Sequence, residues 1–259
     1  MADVNASQTS PVPADPRSLR AHLFDLDGVI TPTAEIHMRA WAEMFEGFLA
    51  SRGIAEPYTD ADYFAHVDGK PRYDGVRTFL ASRGIELPEG DAEDPSDQAP
   101  GEETVAGLGN RKNDQVLEMI RTAGVEPYPG TVAYLDSLPA TARLAVVSSS
   151  KNAEEVLRGA GLRERFEFVV DGNVAHAEGL PGKPAPDTFV HAAQLLGCTI
   201  EESVVYEDAV AGVRAGAAGG FALVVGVDRG VGHETLREAG ASLVVSDLSE
   251  LVDGAGAQA

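Results

Sequence analysis

The sequence has little cysteine and comparatively few basic residues, and each shortage excludes a class of protein. Cys198 is the only cysteine among 259 residues, so no disulfide can form within the chain, as is typical of a reducing compartment. The 41 acidic residues outnumber the 20 basic ones and give a formal charge of −21 at pH 7. Because this charge repels phosphate backbones and anionic lipid, it disfavours binding to nucleic acid.

Long apolar runs are also missing. A run such as 221–227 falls far short of the roughly 20 residues that span a bilayer. The first stretch, 1–19, contains prolines and small polar residues but lacks the apolar segment of a secretory signal. We therefore expect a flexible tail over 1–19 and a cytoplasmic protein without membrane contact.

Short apolar runs alternate with helix-like segments in the second half of the chain. The apolar runs cover 143–147, 166–170, 203–206, 221–225 and 242–245. The helix-like segments cover 152–159, 186–196, 209–218 and 234–239. This alternation predicts an α/β fold with a doubly wound parallel sheet covered on both faces. A further run over 21–26 belongs to the same sheet but lies far upstream.

The long segment after this first strand has a different, helical character. Its apolar residues lie three and four apart over 36–49, which predicts an amphipathic helix, and similar spacing recurs over 73–80 and 116–120. We expect a core over 20–33 and 127–259, with a helical cap inserted over 34–126. Within the cap, 86–103 holds eight acidic residues, three prolines and no basic residue. Such a segment cannot bury enough apolar surface to order itself, which predicts a solvated loop.

Polar side chains follow four of the predicted strands. In chain order they are Asp25 with Asp27, Ser148, Lys183, and Glu207 with Asp208. Because the carboxyl ends of parallel strands meet at one edge of the sheet, these side chains are expected to converge. Asp25 and Asp208 offer the hard oxygen ligands that Mg²⁺ prefers, and Lys183 would offset the charge of a phosphoryl group.

In this order and context, the segment 25–29 (DLDGV), Ser148, Lys183 and the pair at 207–208 resemble the four motifs of the haloacid dehalogenase superfamily. The resemblance covers the chain from about residue 21 to the last strand. It implies a Rossmann-like core with a helical cap inserted after the first motif. It also implies that Asp25 is a nucleophile that forms an aspartyl-phosphate, with Asp27 as the general acid and base.

The same resemblance implies a role for each remaining motif residue. Ser148 and Lys183 would hold the phosphoryl oxygens, and Lys183 counts among the catalytic residues. The implied ligands of Mg²⁺ are Asp25, Asp27, Glu207 and Asp208.

The stretch 25–41, DLDGVITPTAEIHMRAW, is similar to the β-phosphoglucomutase branch of this superfamily. This likeness implies a phosphosugar mutase that converts β-glucose 1-phosphate to glucose 6-phosphate through a bisphosphate, with glucose 1,6-bisphosphate as activator. Arg72 would bind the phosphate that is not being transferred, and His37 would couple proton transfer to cap closure. The implied substrate-binding residues are Trp41, Gly69, Lys70, Arg72, Lys112, Ser148, Ser150, Lys151 and Asn152.

Some of these residues have a plainer interpretation. Trp41 lies on the apolar stripe of its helix, which favours a place in the core. Lys112 and Lys151 are equally well explained as solvated helix termini. His22 matches no motif, and Gly212 and Gly216 indicate close helix packing rather than a dinucleotide fingerprint.

Two positions depart from the family pattern. A lysine commonly precedes the cap glycine, whereas Asp68 stands there and Lys70 follows Gly69 instead. Pro32 interrupts the stretch that leads into the cap, and a proline stiffens a hinge because it fixes φ.

Three alternatives to a mutase remain. A phosphatase acting on a small sugar or polyol phosphate would use the same catalytic residues, with water replacing the sugar hydroxyl. A dehalogenase would need neither Asp27 nor a metal, and a non-catalytic binding protein would be free to lose some of the motif residues. All of these residues are present, which favours phosphoryl transfer.

Overall fold

The computed structural model describes residues 15–252. Most of the predicted tail, 1–14, therefore lies outside the described residues. Pro16–Ser18 forms a 3₁₀-helix that the Asp15 side chain caps, and Arg17 Nη1 donates a hydrogen bond to the Val252 carbonyl at 2.7 Å. Residues 15–18 are thus held against the far end of the core rather than forming a free tail.

Six parallel strands form one sheet in the order β3-β2-β1-β4-β5-β6. Their bounds are Ala21–Phe24 (β1), Arg143–Val147 (β2), Phe168–Val170 (β3), Ser203–Glu207 (β4), Leu223–Val227 (β5) and Leu243–Val245 (β6). β1 is central, and its Phe24 lies beside Val146 of β2 and Tyr206 of β4. The strand order reverses at β1, which is where doubly wound sheets bind their ligands. The predicted parallel sheet is confirmed.

Both faces of this sheet are covered by helices. They are α5 (Pro129–Ser137), α6 (Ala153–Gly159), α7 (Gly172–Ala177), α8 (Asp187–Leu195), α9 (Val210–Gly219) and α10 (His233–Ala239). Successive residues of β1 enter different apolar clusters, Leu23 on one face and Phe24 on the other. This explains why the strand sequences are continuously apolar rather than alternating. Gly216 of α9 packs closely on the sheet, since a Cβ there would lie 3.0 Å from Val224 Cγ2.

The insert between β1 and β2 is helical, as predicted. It contains α1 (Thr33–Ser51), α2 (Asp60–Asp62), a π-helical turn (Tyr63–Val67), α3 (Arg72–Ser82) and α4 (Val105–Ala123). The apolar stripe of α1 builds a core of its own, in which the Phe45 ring lies 4.1 Å from that of Phe79, centroid to centroid. Among the described residues, no helix is long and apolar enough to cross a membrane.

The acidic loop, residues 86–103, contains no helix or strand and is largely exposed. Polar contacts hold it against the cap helices, together with Leu87, which packs against the apolar core of the cap. Arg111 Nε donates to the Ser96 carbonyl at 2.8 Å, and Arg52 contacts the buried Glu103 at 2.9 Å. The predicted solvation of this segment therefore coexists with a specific attachment that its composition does not reveal.

Candidate active site

The loop that follows β1 approaches Asp208 so closely that only glycine fits at residue 28. Gly28 has φ +85°, and a Cβ on it would lie 1.8 Å from Asp208 Oδ2. Glycine adopts this left-handed backbone without strain. The glycine of the sequence DLDG thus allows the loop after β1 to lie directly against Asp208, the residue after β4, at the carboxyl edge of the sheet.

Lys183 joins two buried carboxylates at the centre of the site. Its Nζ lies 2.5 Å from Asp25 Oδ1 and 2.5 Å from Glu207 Oε1, and it donates to the Val147 carbonyl at 3.1 Å. Burial alone would lower the pKa of Lys183, but the two carboxylates raise it above its usual value. Lys183 is therefore a permanent cation beside Asp25.

Three carboxylates form a cluster that could hold a metal ion. Oxygen atoms of Asp25, Glu207 and Asp208 lie within 4.8 Å of one another, and all three residues are buried. Burial raises the pKa of Asp208, and the neighbouring carboxylates raise it further. Gly212 leaves room for this arrangement, because a Cβ there would lie 1.8 Å from Glu207 Oε1. A donor set made only of carboxylate oxygen fits Mg²⁺.

Asp27, which the family likeness adds to the metal ligands, lies outside this cluster and is held by two other residues. Thr33 Oγ1 donates a hydrogen bond to Asp27 Oδ1, and His37 Nε2 lies 3.6 Å from the same oxygen. On the other side of the imidazole, Lys112 Nζ lies 2.5 Å from His37 Nδ1. The Asp27 carboxylate thus turns toward the cap helix α1.

The imidazole of His37 is neutral because of its surroundings. Burial lowers its pKa to about 4, and the Lys112 ammonium adds to this effect. Burial, followed by the charge of Arg72, lowers the pKa of Lys112 to about 7. The charged form of Lys112 can only donate; beside it, Nδ1 accepts and the ring proton lies on Nε2, on the side of Asp27. Lys112 is therefore part of the site rather than a solvated helix terminus.

The serines after β2 form a turn beneath the cap. Ser148 is 2% exposed, and its Oγ accepts from the Ser150 amide at 3.0 Å, while Ser150 Oγ accepts from the Asn152 amide at 3.2 Å. Ser149 Oγ reaches the cap, donating to the Gly69 carbonyl at 3.2 Å. Gly69 has φ +68°, and a Cβ on it would lie 3.1 Å from those of Ala209 and Ala211. The cap loop therefore lies directly on the core.

A second polar cluster lies at the Arg72 end of the site. Arg72 Nη2 from the cap and Asn152 Nδ2 from the core both donate to Asn113 Oδ1, at 2.6 and 2.8 Å. Lys70 instead turns to the His66 carbonyl, at 2.9 Å from its Nζ. Trp41 is 4% exposed and packs within the cap core, with Lys112 Nζ 4.9 Å from its ring centroid. Trp41 is thus both a core residue and an edge of the site.

One cavity of about 420 Å³ between cap and core contains these groups. Its size is ordinary for a small-molecule site. Every site residue expected from the sequence lines it except Asn152. Lys151 lines it through the turn after β2.

The cavity also contains residues to which the sequence assigned no role. Tyr63, Asn113 and Ser149 line it, as does Asp68, the position that departs from the family pattern. Burial raises the pKa of Asp68 to about 6, although a hydrogen bond from Tyr63 opposes this. The position of Asn113 next to Lys112 in the sequence could have predicted its place in the cavity, whereas no sequence feature predicts that of Tyr63.

Comparison with known proteins identifies the family. The sequence model of the haloacid dehalogenase-like hydrolases matches residues 19–220. The chain belongs to this family. It is 47% identical over 247 residues to a β-phosphoglucomutase of Mycobacterium tuberculosis, covering 92% of this chain and 93% of that protein. It is 32% identical over 202 residues to a fructose-1-phosphate phosphatase of Escherichia coli, covering 77% and 92%.

A solved structure has the same fold. The β-phosphoglucomutase of Clostridium difficile superposes with a TM-score of 0.71 at 24% identity, covering 90% of this chain and 93% of that one. The resemblance stated from the sequence is confirmed. This haloacid dehalogenase-like protein is an enzyme of the β-phosphoglucomutase-like phosphotransferase type, and its three-carboxylate cluster is a candidate metal site.

Proposed function

We propose that the protein is a Mg²⁺-dependent phosphosugar mutase that converts β-glucose 1-phosphate to glucose 6-phosphate. The observation that carries this proposal is the presence of two anion-binding clusters in one cavity. Lys183 contacts Asp25 in a cavity that Ser148 also lines, and Arg72 shares the acceptor Asn113 with Asn152 in the second cluster. A bisphosphate intermediate requires both clusters at once, whereas hydrolysis of a monophosphate requires only the first.

Asp25 acts as the nucleophile. One of its oxygens bonds to phosphorus as the bond between phosphorus and the sugar oxygen breaks, which leaves an aspartyl-phosphate. The Lys183 ammonium, in contact with the Asp25 carboxylate, offsets the charge that accumulates there. Asp25, Glu207 and Asp208 would hold Mg²⁺, which when bound supplies further positive charge for the transferred group.

Asp27 moves the proton in each half-reaction. It takes the proton of the sugar 6-hydroxyl as that oxygen accepts the phosphoryl group from Asp25, giving the bisphosphate. After the bisphosphate turns around, the phosphoryl group on oxygen 1 returns to Asp25 and Asp27 gives the proton to that oxygen, releasing glucose 6-phosphate. The hydrogen bond from Thr33 holds the Asp27 carboxylate in place, and His37 Nε2 lies 3.6 Å from the same oxygen.

Arg72 holds the phosphate that is not being transferred. A guanidinium binds a phosphate with two parallel hydrogen bonds, which fixes the orientation of the sugar as well as its position. Glucose 1,6-bisphosphate is expected to act as activator, because it donates a phosphoryl group to Asp25 and so starts the cycle.

Hydrolysis is the second candidate function. The likeness to a phosphatase of Escherichia coli that acts on fructose 1-phosphate supports it. Water would take the place of the sugar hydroxyl, Asp27 would activate it, and inorganic phosphate would leave.

The test is an assay with β-glucose 1-phosphate, Mg²⁺ and a trace of glucose 1,6-bisphosphate, in which glucose 6-phosphate formation is coupled to its dehydrogenase. We expect glucose 6-phosphate to form, with a longer lag when the bisphosphate is omitted. α-Glucose 1-phosphate is the control for anomer preference. Release of one phosphate per sugar consumed, without glucose 6-phosphate, would establish the phosphatase instead.

A further inference from the structure

Asn110 of α4 connects the acidic loop to the Arg72 end of the cavity. Its Nδ2 donates to two loop carbonyls, Ala92 at 3.1 Å and Asp94 at 2.9 Å. Its Oδ1 accepts from the Tyr73 hydroxyl at 3.0 Å and from Arg72 Nη1 at 3.4 Å. The Asn110 amide group thus donates hydrogen bonds to the loop and accepts hydrogen bonds from residues that line the substrate cavity.

The guanidinium of Arg72 is held on both of its terminal nitrogens. Asn110 lies at Nη1, and Asn113, one helical turn further along α4, accepts from Nη2 at 2.6 Å. Two acceptors at this spacing fix both the plane and the direction of the guanidinium. A preoriented fork loses less side-chain entropy when it binds an anion.

The same stretch of α4 is shaped to receive both the loop and Arg72. A Cβ on Gly107 would lie 1.8 Å from Oε1 of the loop residue Gln98. A Cβ on Gly109 would lie 2.7 Å from Tyr73 and 3.1 Å from Arg72 Cδ. These two glycines therefore admit the loop on one side and the Arg72 segment on the other.

Arg111 attaches the loop independently of the site. Its Nε and Nη2 donate to the carbonyls of Ser96 and Gln98, at 2.8 and 2.9 Å. Thr104 adds a hydrogen bond to Asp94 Oδ2 at 2.6 Å. Because these contacts hold the loop, Ala92 reaches the cavity and forms part of its lining.

We propose that the acidic loop is a wall of the substrate cavity and that Asn110 is the positioning residue through which this wall fixes Arg72. The proposal rests on the proposed function, because the task of Arg72 is to hold the second phosphate of a phosphorylated monosaccharide. The loop then contributes to affinity at the distal phosphate, while the chemistry at Asp25 proceeds without it.

The first test compares two substrates in Asn110→Ala. Loss of the amide is worth about one hydrogen bond, so KM for β-glucose 1-phosphate should rise about fivefold, with a smaller change in kcat. p-Nitrophenyl phosphate has a single phosphate, which lies at Asp25 when it reacts, so no phosphate occupies the Arg72 end. Its kcat/KM should therefore stay at the wild-type value. An equal loss on both substrates would indicate a purely structural role, and an unchanged KM would show that Asn110 does not position Arg72. Either result overturns the proposal.

The second test releases the loop from the other end. Arg111→Ala should speed cleavage of the acidic loop by a Glu-specific protease and raise KM for β-glucose 1-phosphate, again with p-nitrophenyl phosphate unaffected. Arg121→Ala is the matched control, since it removes an exposed arginine from the same helix. The wall is refuted if Arg111→Ala leaves either loop cleavage or KM unchanged.

Failure of the proposed function would be visible separately. If the wild-type protein releases phosphate from β-glucose 1-phosphate and makes no glucose 6-phosphate, the mutase is refuted. Titration calorimetry of the wild type and Asn110→Ala with glucose 1,6-bisphosphate, which carries a phosphate for each end of the cavity, would still decide whether Asn110 and the loop position Arg72.

Discussion

At the scale of single residues, His22 shows how burial alone sets the chemistry of a side chain. It is fully buried in β1, where Nε2 donates to the Leu19 carbonyl at 3.2 Å and Nδ1 accepts from the Tyr206 hydroxyl at 2.8 Å. Tyr206 in turn lies 2.6 Å from the Tyr134 hydroxyl. Burial lowers the pKa of His22 to about 4. The histidine is therefore a neutral part of the sheet, at a distance from the catalytic groups.

This burial predicts a loss of stability in mild acid. In the unfolded chain the pKa of His22 is about 6.5, so His22 takes up a proton below that pH. In the folded protein His22 stays neutral until the pH falls to about 4, and the unfolded state is therefore favoured between the two values. From pH 7 to pH 5 the free energy of unfolding should thus fall by roughly 2 kcal/mol more in the wild type than in His22→Gln. Urea unfolding of both proteins at the two pH values measures this difference. If the free energy of unfolding depends on pH identically in the two proteins, His22 is not held neutral by burial.

The two motif aspartates predict different defects. Asp25→Asn should abolish phosphoryl transfer, because an amide is too poor a nucleophile to attack phosphorus. Asp27→Asn should slow transfer to and from the sugar hydroxyl by about 10²–10⁴-fold, the usual worth of a general acid and base. It should still form phosphoenzyme from acetyl phosphate, whose leaving group needs little protonation. Quenched-flow detection of protein-bound phosphate distinguishes the two, and turnover in Asp25→Asn would contradict its role as nucleophile.

At the scale of elements, the alternation of strands and helices in the core was predicted, but two of its helices were missed. The strand at 143–147 matches its predicted range, and the stripe of α1 is buried as the spacing of its apolar residues requires. α5 and α7 were missed because neither has a clear apolar stripe: the buried face of α5 includes Thr131, and α7 has no fully buried residue. α7 depends instead on the Asp171 side chain, which caps its first amides.

Much of the site could be predicted because most of its residues directly follow strands, whose carboxyl ends meet at one edge of the sheet. Lys183 is the exception, since α7 lies between it and β3. Asp25, Ser148, Lys183 and Asp208 all converge as expected. The attachment of the acidic loop could not be predicted, because it depends on Asn110 and Arg111 finding backbone carbonyls rather than on any apolar pattern. The amino-acid composition shows that such a loop is charged, but it does not show which residues bind the loop backbone.

The turn after β1 predicts that a side chain at residue 28 displaces the Asp208 carboxylate. Gly28→Ala should push Asp208 away, since its Cβ would lie 1.8 Å from Oδ2, and so weaken Mg²⁺ binding. Gly53→Ala is the matched control: it carries a similar positive φ of +67°, but no atom lies within 4 Å of its Cβ. Titration calorimetry with Mg²⁺ should show weaker binding only in Gly28→Ala. Equal affinities in both variants would contradict the close approach of the loop to Asp208.

At the scale of the whole molecule, a formal charge of −21 surrounds a cavity whose lining carries several cations beside its carboxylates. Lys183, Arg72, Lys112, Lys70 and Lys151 all line it. The overall acidity disfavours large polyanions, which must approach the whole surface. A small sugar phosphate meets mainly the local charges, so the acidity of the protein does not conflict with an anionic substrate.

The buried carboxylates predict that Mg²⁺ stabilises the fold. Asp25, Glu207 and Asp208 repel one another, and Lys183 offsets only part of their charge. Thermal unfolding of the wild type should shift to higher temperature as Mg²⁺ is added, because a ligand that binds only the folded state stabilises it. Asp208→Asn should be more stable than the wild type in EDTA and should respond little to Mg²⁺. If the unfolding temperature of the wild type does not change with Mg²⁺, the metal site is contradicted.

A phosphosugar mutase returns every sugar as a phosphate ester, with a phosphate on oxygen 6 in place of the one on oxygen 1. A single ³¹P NMR time course of β-glucose 1-phosphate with the enzyme, Mg²⁺ and a trace of glucose 1,6-bisphosphate tests this directly, because substrate, product and inorganic phosphate give separate signals. We expect the substrate signal to be replaced by that of glucose 6-phosphate, with little inorganic phosphate. Conversion of the substrate signal mainly into inorganic phosphate would contradict it.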